Sequence, residues 1–152
     1  MKCTRNRKLS FLPIALALLA GCDLVSRDEV ARVASPDGRV EAVLVETNGG
    51  ATTSFGYEVH VVEKGRPVGD RVAWLYGAGR NAQAYGANLK WTGENEIVIE
   101  YLEARDQTLE RKTVSVAGRV IKVSLRSGVN DPTAPAGGML YNLELTRGGK
   151  AK

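Results

Sequence analysis

The stretch Gly56–Glu63, with the sequence GYEVHVVE, decides the fold class of this chain. Its residues Tyr57, Val59 and Val61 alternate with polar ones, among them His60. Because successive side chains of a β-strand point to opposite faces, this period of two predicts a strand with one buried face and one polar face. The same alternation places His60 on the polar face, and we expect it at the protein surface.

Turn signals and further alternating segments surround this stretch. Ser35-Pro36-Asp37-Gly38 suits a β-turn, because proline fits its second position and glycine its fourth. Similar segments recur roughly every ten residues, as in all-β domains. We expect strands at Val30–Ala34, Arg39–Glu46, Gly56–Glu63, Arg71–Tyr76, Asn88–Trp91, Glu96–Leu102, Arg111–Val116 and Val120–Arg126, and a last strand carrying Tyr141, Leu143 and Leu145 on one face.

These patterns predict an all-β domain of about eight short antiparallel strands, arranged as a β-sandwich or a partly open barrel. No segment shows an apolar period of 3.6 over ten residues, so no long helix is expected. Two hairpin-like segments resemble strand pairs of β-propeller blades. A propeller needs at least four blades of four strands, and this chain of 152 residues is too short for that.

The first 21 residues have the pattern of a secretory signal. The apolar run Phe11–Ala20 follows a basic start made by Lys2, Arg5, Arg7 and Lys8. As a helix the run would span roughly 15 Å, whereas a bilayer core is about 30 Å thick. It is therefore too short for a permanent transmembrane helix, and we expect an exported protein.

The end of this signal, Leu19-Ala20-Gly21-Cys22, resembles the lipobox of bacterial lipoproteins. The resemblance implies that Cys22 is lipidated and becomes the first residue of the mature protein. Asp23 resembles the signal that retains lipoproteins of many Gram-negative bacteria in the inner membrane, facing the periplasm. The alternatives are an ordinary cleaved signal, with Cys22 beside the cut by chance, and an Asp23 that is only a polar linker residue.

The resulting division has four parts. We expect a signal peptide at residues 1–21, a polar tether at 22–29, a single all-β domain at 30–147 and a frayed C-terminus at 148–152.

The charge and the cysteines of the mature chain exclude several functions. Four of the 21 Lys and Arg residues lie in the signal and no acidic residue does, which leaves 17 of each sign. Because the positive and negative charges are equal in number and form no basic cluster, we expect no nucleic-acid binding. Cys3 leaves with the signal and Cys22 carries the lipid, so no thiol remains for a disulfide, a nucleophile or a metal ligand.

The most distinctive loop lies between two Tyr-Gly-Ala units. Tyr76-Gly77-Ala78 recurs as Tyr85-Gly86-Ala87, and Arg80, Asn81 and Gln83 lie between them. Tyrosine, arginine and asparagine are typical of binding loops. We expect Tyr76, Arg80, Asn81, Gln83 and Tyr85 to contact a partner. The alternative is a packed connection whose tyrosines cap the ends of the sheet. The loop Asn48–Phe55 is a weaker candidate of the same kind.

Catalytic groups are sparse in this sequence. A Ser-His-Asp arrangement would have to use His60, and no calcium-binding loop or phosphate-binding fingerprint is present. Glu96 and Glu100 share one face of a predicted strand and could form a carboxylate pair, although simple alternation also explains them. We therefore expect no metal and no cofactor.

The mature chain also resembles small lipoproteins of Gram-negative bacteria. The resemblance rests on Gly50–Tyr57, GATTSFGY, and on Tyr85–Trp91, YGANLKW. It implies a location in the cell envelope and no particular activity. The first hypothesis is a non-enzymatic, membrane-anchored lipoprotein that binds a periplasmic protein through its loops. The alternative is a small hydrolase of envelope glycan that uses Glu96 and Glu100.

Overall fold

A computed structural model describes residues 25–148, which form nine strands and one helix. The predicted signal peptide, Cys22, Asp23 and residues 149–152 lie outside this range. The elements are β1 (Ser26–Ala34), β2 (Val40–Asn48), β3 (Gly56–Glu63), β4 (Arg71–Tyr76), β5 (Asn88–Gly93), β6 (Glu96–Glu100), β7 (Asp106–Leu109), β8 (Thr113–Val116), β9 (Arg119–Arg126) and α1 (Met139–Gly148).

The strands form two sheets, so the all-β sandwich is confirmed and the barrel is not. One sheet has the order β1-β2-β3-β4-β7 and the other the order β5-β6-β9-β8. All pairs are antiparallel except β6 and β9, which are parallel, so the expectation of a wholly antiparallel fold was wrong. The parallel pair arises because β7, which follows β6 in the chain, joins the first sheet. The hairpin of β8 and β9 then returns the chain to β6 in the same direction.

The predicted inner faces meet in one core. Tyr57, Val59 and Val61 on β3 are buried, as the alternation predicted. They pack with buried residues of both sheets, chiefly Val40, Ala42, Leu44, Val72, Leu75, Ile97, Ile99, Tyr101, Ile121 and Val123. Burying each large aliphatic side chain stabilises the fold by about 1.5–3 kcal/mol, so this shared core holds the two sheets together.

His60 lies on the predicted face of β3, but it is not at the surface. It is only 5% exposed, because the connection between β3 and β4 covers it. Its Nδ1 lies 2.8 Å from the carbonyl oxygen of Gly69 in that connection, and its Nε2 lies 3.6 Å from the Glu58 carboxylate. Glu58 also pairs with Arg27 and Arg71. The prediction of a surface histidine was wrong because alternation assigns a face and cannot show what lies over it.

Strand β1 begins earlier than the sequence predicts. Its first residue, Ser26, pairs with Asn48 at the end of β2, and the pairing continues along the strand with one irregularity after Glu29. Residues 26–29 therefore belong to the sheet, and the predicted tether 22–29 was too long. Polar, charged residues are typical of a strand at the edge of a sheet, and β1 is such a strand.

The predicted last strand is instead the helix α1. Leu140 and Leu143 pack against the core, while Tyr141 and Leu145 are exposed, so the three residues expected on one face are separated.

The Glu46 carboxylate, on the inner face of β2 and 3% exposed, holds the start of this helix. Its Oε2 accepts a 2.7 Å hydrogen bond from the Met139 backbone N–H. A negative charge at this position also complements the helix dipole.

The same oxygen of Glu46 accepts a 2.8 Å hydrogen bond from the Tyr57 hydroxyl. Burial, followed by the nearby Glu46 charge, raises the pKa of Tyr57 far above its usual value. The phenol therefore stays protonated and keeps donating. One carboxylate thus joins the centre of the first sheet to α1.

All the long connections of the described chain except 64–70 lie at one end of the sandwich, which we call the loop end. Its position follows from the strand register, because Ser26 pairs with Asn48, Gly56 with Tyr76, and Tyr76 with Asp106. The loop end comprises the start of β1, the connections 49–55, 77–87, 101–105 and 127–138, and α1. The opposite end carries the tight hairpin turns.

Removing the Glu46 carboxylate should weaken the whole fold. Glu46→Ala leaves the Tyr57 hydroxyl and the Met139 N–H buried without their acceptor, and we expect a loss of about 2–4 kcal/mol in the free energy of unfolding. Urea unfolding measures it. Glu96→Ala, at an exposed position, is the control and should change stability by about 0.5 kcal/mol or less. Equal midpoints for the two variants would contradict the role given to Glu46.

Candidate functional site

The connection 77–87 between β4 and β5 contains most of the residues that the sequence singles out, and the structure gives it a defined path. Gly79 pairs with both Tyr85 and Glu103, and Ala84 pairs with Gly137. The connection thus folds back on itself and joins two neighbouring connections by backbone hydrogen bonds. The connection forms neither a regular strand nor a helix, which agrees with the loop predicted from the sequence.

Gly86 shows why a glycine is needed in this connection. Its φ of +129° is a conformation that other residues rarely adopt. A Cβ atom there would lie 2.6 Å from the Met139 side chain and 3.0 Å from Arg80. The second Tyr-Gly-Ala unit therefore lets α1 approach the connection closely.

The Asp131 carboxylate is the centre of a polar network beneath this connection. Its Oδ2 accepts hydrogen bonds of 2.8 Å from Arg80 and 3.0 Å from Asn88. Its Oδ1 accepts from the hydroxyl of Thr133 at 2.6 Å and from that residue's N–H at 3.0 Å. Hydrogen bonding, first from Thr133, holds the pKa of Asp131 well below its usual range. The carboxylate is therefore charged and paired with Arg80.

Asn81 completes the network. Its amide nitrogen donates to the carbonyl oxygens of Asp131 at 3.0 Å and Ala134 at 2.9 Å. Its side-chain oxygen accepts from the backbone N–H groups of Gln83 and Ala84, both at 2.8 Å. All of these contacts lie within the protein.

The structure thus gives Arg80 and Asn81 an internal position, whereas the sequence suggested that they form a polar tip for a partner. Both side chains are turned toward the connection 127–138 and hold it against 77–87. Asp131 is the residue that sequence reasoning missed. An aspartate before proline and threonine signals a local turn, but nothing in the sequence pairs it with a residue 51 positions earlier.

The two tyrosines differ in their surroundings. The Tyr76 hydroxyl accepts a 2.9 Å hydrogen bond from the Ser54 N–H, and its ring stacks on Trp74 with 5.8 Å between centroids. Tyr76 therefore caps the end of the sheet and fixes the connection 49–55. Tyr85 is 40% exposed, and its ring lies 5.4 Å from that of Phe55. Tyr85 thus remains partly exposed at the surface.

Exposed residues around Tyr85 form a surface that we call the Tyr85 surface. It consists of Gln83, Tyr85, Glu103 and Arg105 and carries two small adjoining pockets of about 110 and 240 Å³. Glu103 and Arg105, which sequence reasoning did not single out, come from the connection after β6. They add one acid and one base beside an aromatic ring, which suits recognition of a polar protein surface.

Glu96 and Glu100 do not form a catalytic carboxylate pair. Four residues along a strand separate them by about 13 Å, whereas glycosidases place their carboxyl groups roughly 5–9.5 Å apart. Glu100 is buried and accepts a 2.9 Å hydrogen bond from Arg126, while Glu96 is exposed. Within residues 25–148, no three His, Cys, Asp or Glu side chains lie together as a metal site would require.

Comparison with protein-family models, curated proteins and solved structures gives no match to this chain. Among the described residues, no helix has the length and apolar character needed to cross a bilayer.

The network predicts that Arg80→Ala combined with Asn81→Ala is destabilising. The double change leaves the Asp131 carboxylate without its cation and removes five hydrogen bonds, at a cost of about 2 kcal/mol or more. We expect a Tm lower by roughly 5–10 °C in a thermal melt. Gln83→Ala, whose side chain is exposed, serves as the control and should melt like the wild type. A double variant with an unchanged Tm would leave both side chains free for a partner.

Proposed function

We propose that this protein is a membrane-anchored envelope lipoprotein that binds a periplasmic protein through its loops and has no catalytic activity. The observation that carries the proposal is the position of Cys22 relative to the domain. Only residues 23–25 separate this cysteine, at the end of a lipobox-like signal, from the first residue of β1. A lipid on Cys22 would therefore hold the folded domain close to the membrane.

The start of β1 and the Tyr85 surface lie at the same end of the sandwich. Strand β1 begins at the loop end, which also carries the connection 77–87. A chain of three residues reaches at most about 11 Å, so a lipid on Cys22 would hold the loop end close to the membrane. The Tyr85 surface would then meet a partner that is itself located at the membrane.

The chemistry of the Tyr85 surface supports protein binding. An exposed tyrosine offers rigid contact area, and Glu103 and Arg105 can form hydrogen bonds and ion pairs around it. The network beside it fixes the connection that carries Tyr85, which would reduce the entropy lost on binding.

Lipidation is tested by the intact mass of the protein purified from membranes. We expect a mature chain that begins at Cys22 and carries acyl groups, and we expect Cys22→Ser to leave the membrane fraction. Cys3→Ser is a matched control, because Cys3 lies in the signal and its loss should change neither mass nor location. A mature wild-type chain without acyl groups would refute the proposal.

Retention in the inner membrane rests on Asp23. In a Gram-negative host that sorts by this aspartate, Asp23→Ser should move the protein toward the outer-membrane fractions of a sucrose gradient. Identical gradients for the two forms in such a host would remove the assignment to the inner membrane while leaving the lipid anchor intact.

Partner binding is tested by cross-linking in cells followed by recovery of the protein. Loss of an aromatic anchor at an interface costs about 2 kcal/mol or more, so Tyr85→Ser should reduce recovery of the partner more than tenfold. Val120→Ser is the control, because Val120 is also exposed but lies at the opposite end of the sandwich. Equal recovery by both variants would show that the partner does not use the Tyr85 surface.

A further inference from the structure

Helix α1 presents an apolar stripe that no described part of the protein covers. Tyr141 is 55% and Leu145 is 53% exposed, and residues four apart lie on one face of a helix. The opposite face is occupied, because Leu140 and Leu143 pack against the core. Large exposed apolar side chains are few in the described chain, so a pair of them on one helix face indicates a contact surface.

The helix that carries the stripe lies beside the first strand of the described chain. Helix α1 packs against β1, the strand that Val25 precedes. Val25 is itself exposed, and it lines a mainly apolar groove of about 180 Å³ with Thr53, Trp74 and Tyr76. The apolar groove therefore lies at the start of β1, and the helix with the stripe packs against the same strand.

The length of chain before Val25 identifies what covers these features. Cys22 is three residues away, within about 11 Å, and the interfacial layer of a bilayer adds roughly 6 Å on each side. A domain held so closely cannot stand clear of the headgroups. Tyrosine and tryptophan are the residues that prefer this layer, since their rings are apolar and their polar atoms stay hydrated.

We propose that the loop end rests on the membrane and that the Tyr141–Leu145 stripe enters the lipid interface. The inference deepens the proposed function and rests on its anchor at Cys22. The occupant is a phospholipid surface of either charge, because α1 carries one acid, Glu144, and one base, Arg147, and so has no net charge to select anionic lipid. The Tyr85 surface borders this contact and remains for the protein partner.

The test uses the mature chain, residues 22–152, with the thiol of Cys22 coupled to a maleimide lipid in phosphatidylcholine vesicles. This chain contains every strand and helix described and no other cysteine. Tyr141→Trp adds an indole at the stripe, and Val120→Trp adds one at the equally exposed opposite end. The chain also holds Trp74 and Trp91, so the quenching of the unsubstituted chain is subtracted from that of each variant. Lipids brominated in their acyl chains quench only an indole that has entered the interface, since the bromines lie below the headgroups.

We expect brominated lipid to quench the added indole of Tyr141→Trp at least severalfold more than that of Val120→Trp. Adding Leu145→Ser to Tyr141→Trp should reduce this quenching, and phosphatidylglycerol should leave it unchanged. Thermal melts of the uncoupled variants establish that all of them fold.

Equal quenching of the two indoles, or quenching of neither, would overturn the membrane contact. Dimerisation of the uncoupled chain through the same stripe, seen by sedimentation equilibrium and abolished by Leu145→Ser, would also overturn it. Because the anchor here is synthetic, these results are independent of whether cells acylate Cys22, which the mass of the native protein decides.

Discussion

Two connections of the loop end depend on one carboxylate. Asp131 accepts hydrogen bonds from Arg80, Asn88 and Thr133, and so ties the connection 127–138 to 77–87. These connections are rich in glycine, so ordering them costs conformational entropy, which the hydrogen bonds to Asp131 offset. The lowered pKa of Asp131 shows that folding favours its charged form. This stabilisation is present above about pH 4 and is lost as the pH falls through the lower pKa of the folded protein.

The ordered loop end has consequences for both proposed contacts. The path of 77–87 exposes Tyr85, and the approach of Gly86 to Met139 positions α1. Glu46 holds the same helix from the side of the sheet. The stripe and the Tyr85 surface therefore lie on segments that hydrogen bonds join to the sheets and to each other, although neither lies on a strand. A short link to Cys22 would fix these segments at the membrane surface.

The sequence predicts the sheets well because a period of two has one simple physical cause. The inner faces of β2 and β3 are those expected from their apolar residues. Prediction from the sequence failed where a local pattern is short or is overridden by tertiary contacts. Tyr141, Leu143 and Leu145 alternate as residues of a strand do. In the structure this segment is a helix, because Leu140 and Leu143 pack against the core and the Glu46 carboxylate accepts a hydrogen bond from the first N–H of the helix. The sequence predicts residues 26–29 of the edge strand β1 as part of a tether, because polar and charged residues suit both.

The sequence predicts which connection carries the candidate site, but it does not predict which residues contact each other there. The repeated Tyr-Gly-Ala unit correctly marked a connection without strand or helix period. Whether Arg80 faces solvent or Asp131 depends on a contact between residues 51 positions apart, and no local pattern encodes it. Glu103 and Arg105 join the Tyr85 surface in the same way, through the pairing of Gly79 with Glu103.

The central claim is that a lipid on Cys22 holds the loop end toward the membrane. The most direct measurement is the distance of each end of the sandwich from the bilayer, by spin labels on single cysteines introduced into the acylated protein. We predict that a label at Gln83→Cys lies within about 15 Å of the headgroups and that a label at the exposed Val120→Cys lies roughly 25–30 Å farther out, the length of a nine-residue strand. Labels at equal distances, or the reverse order, would contradict the account.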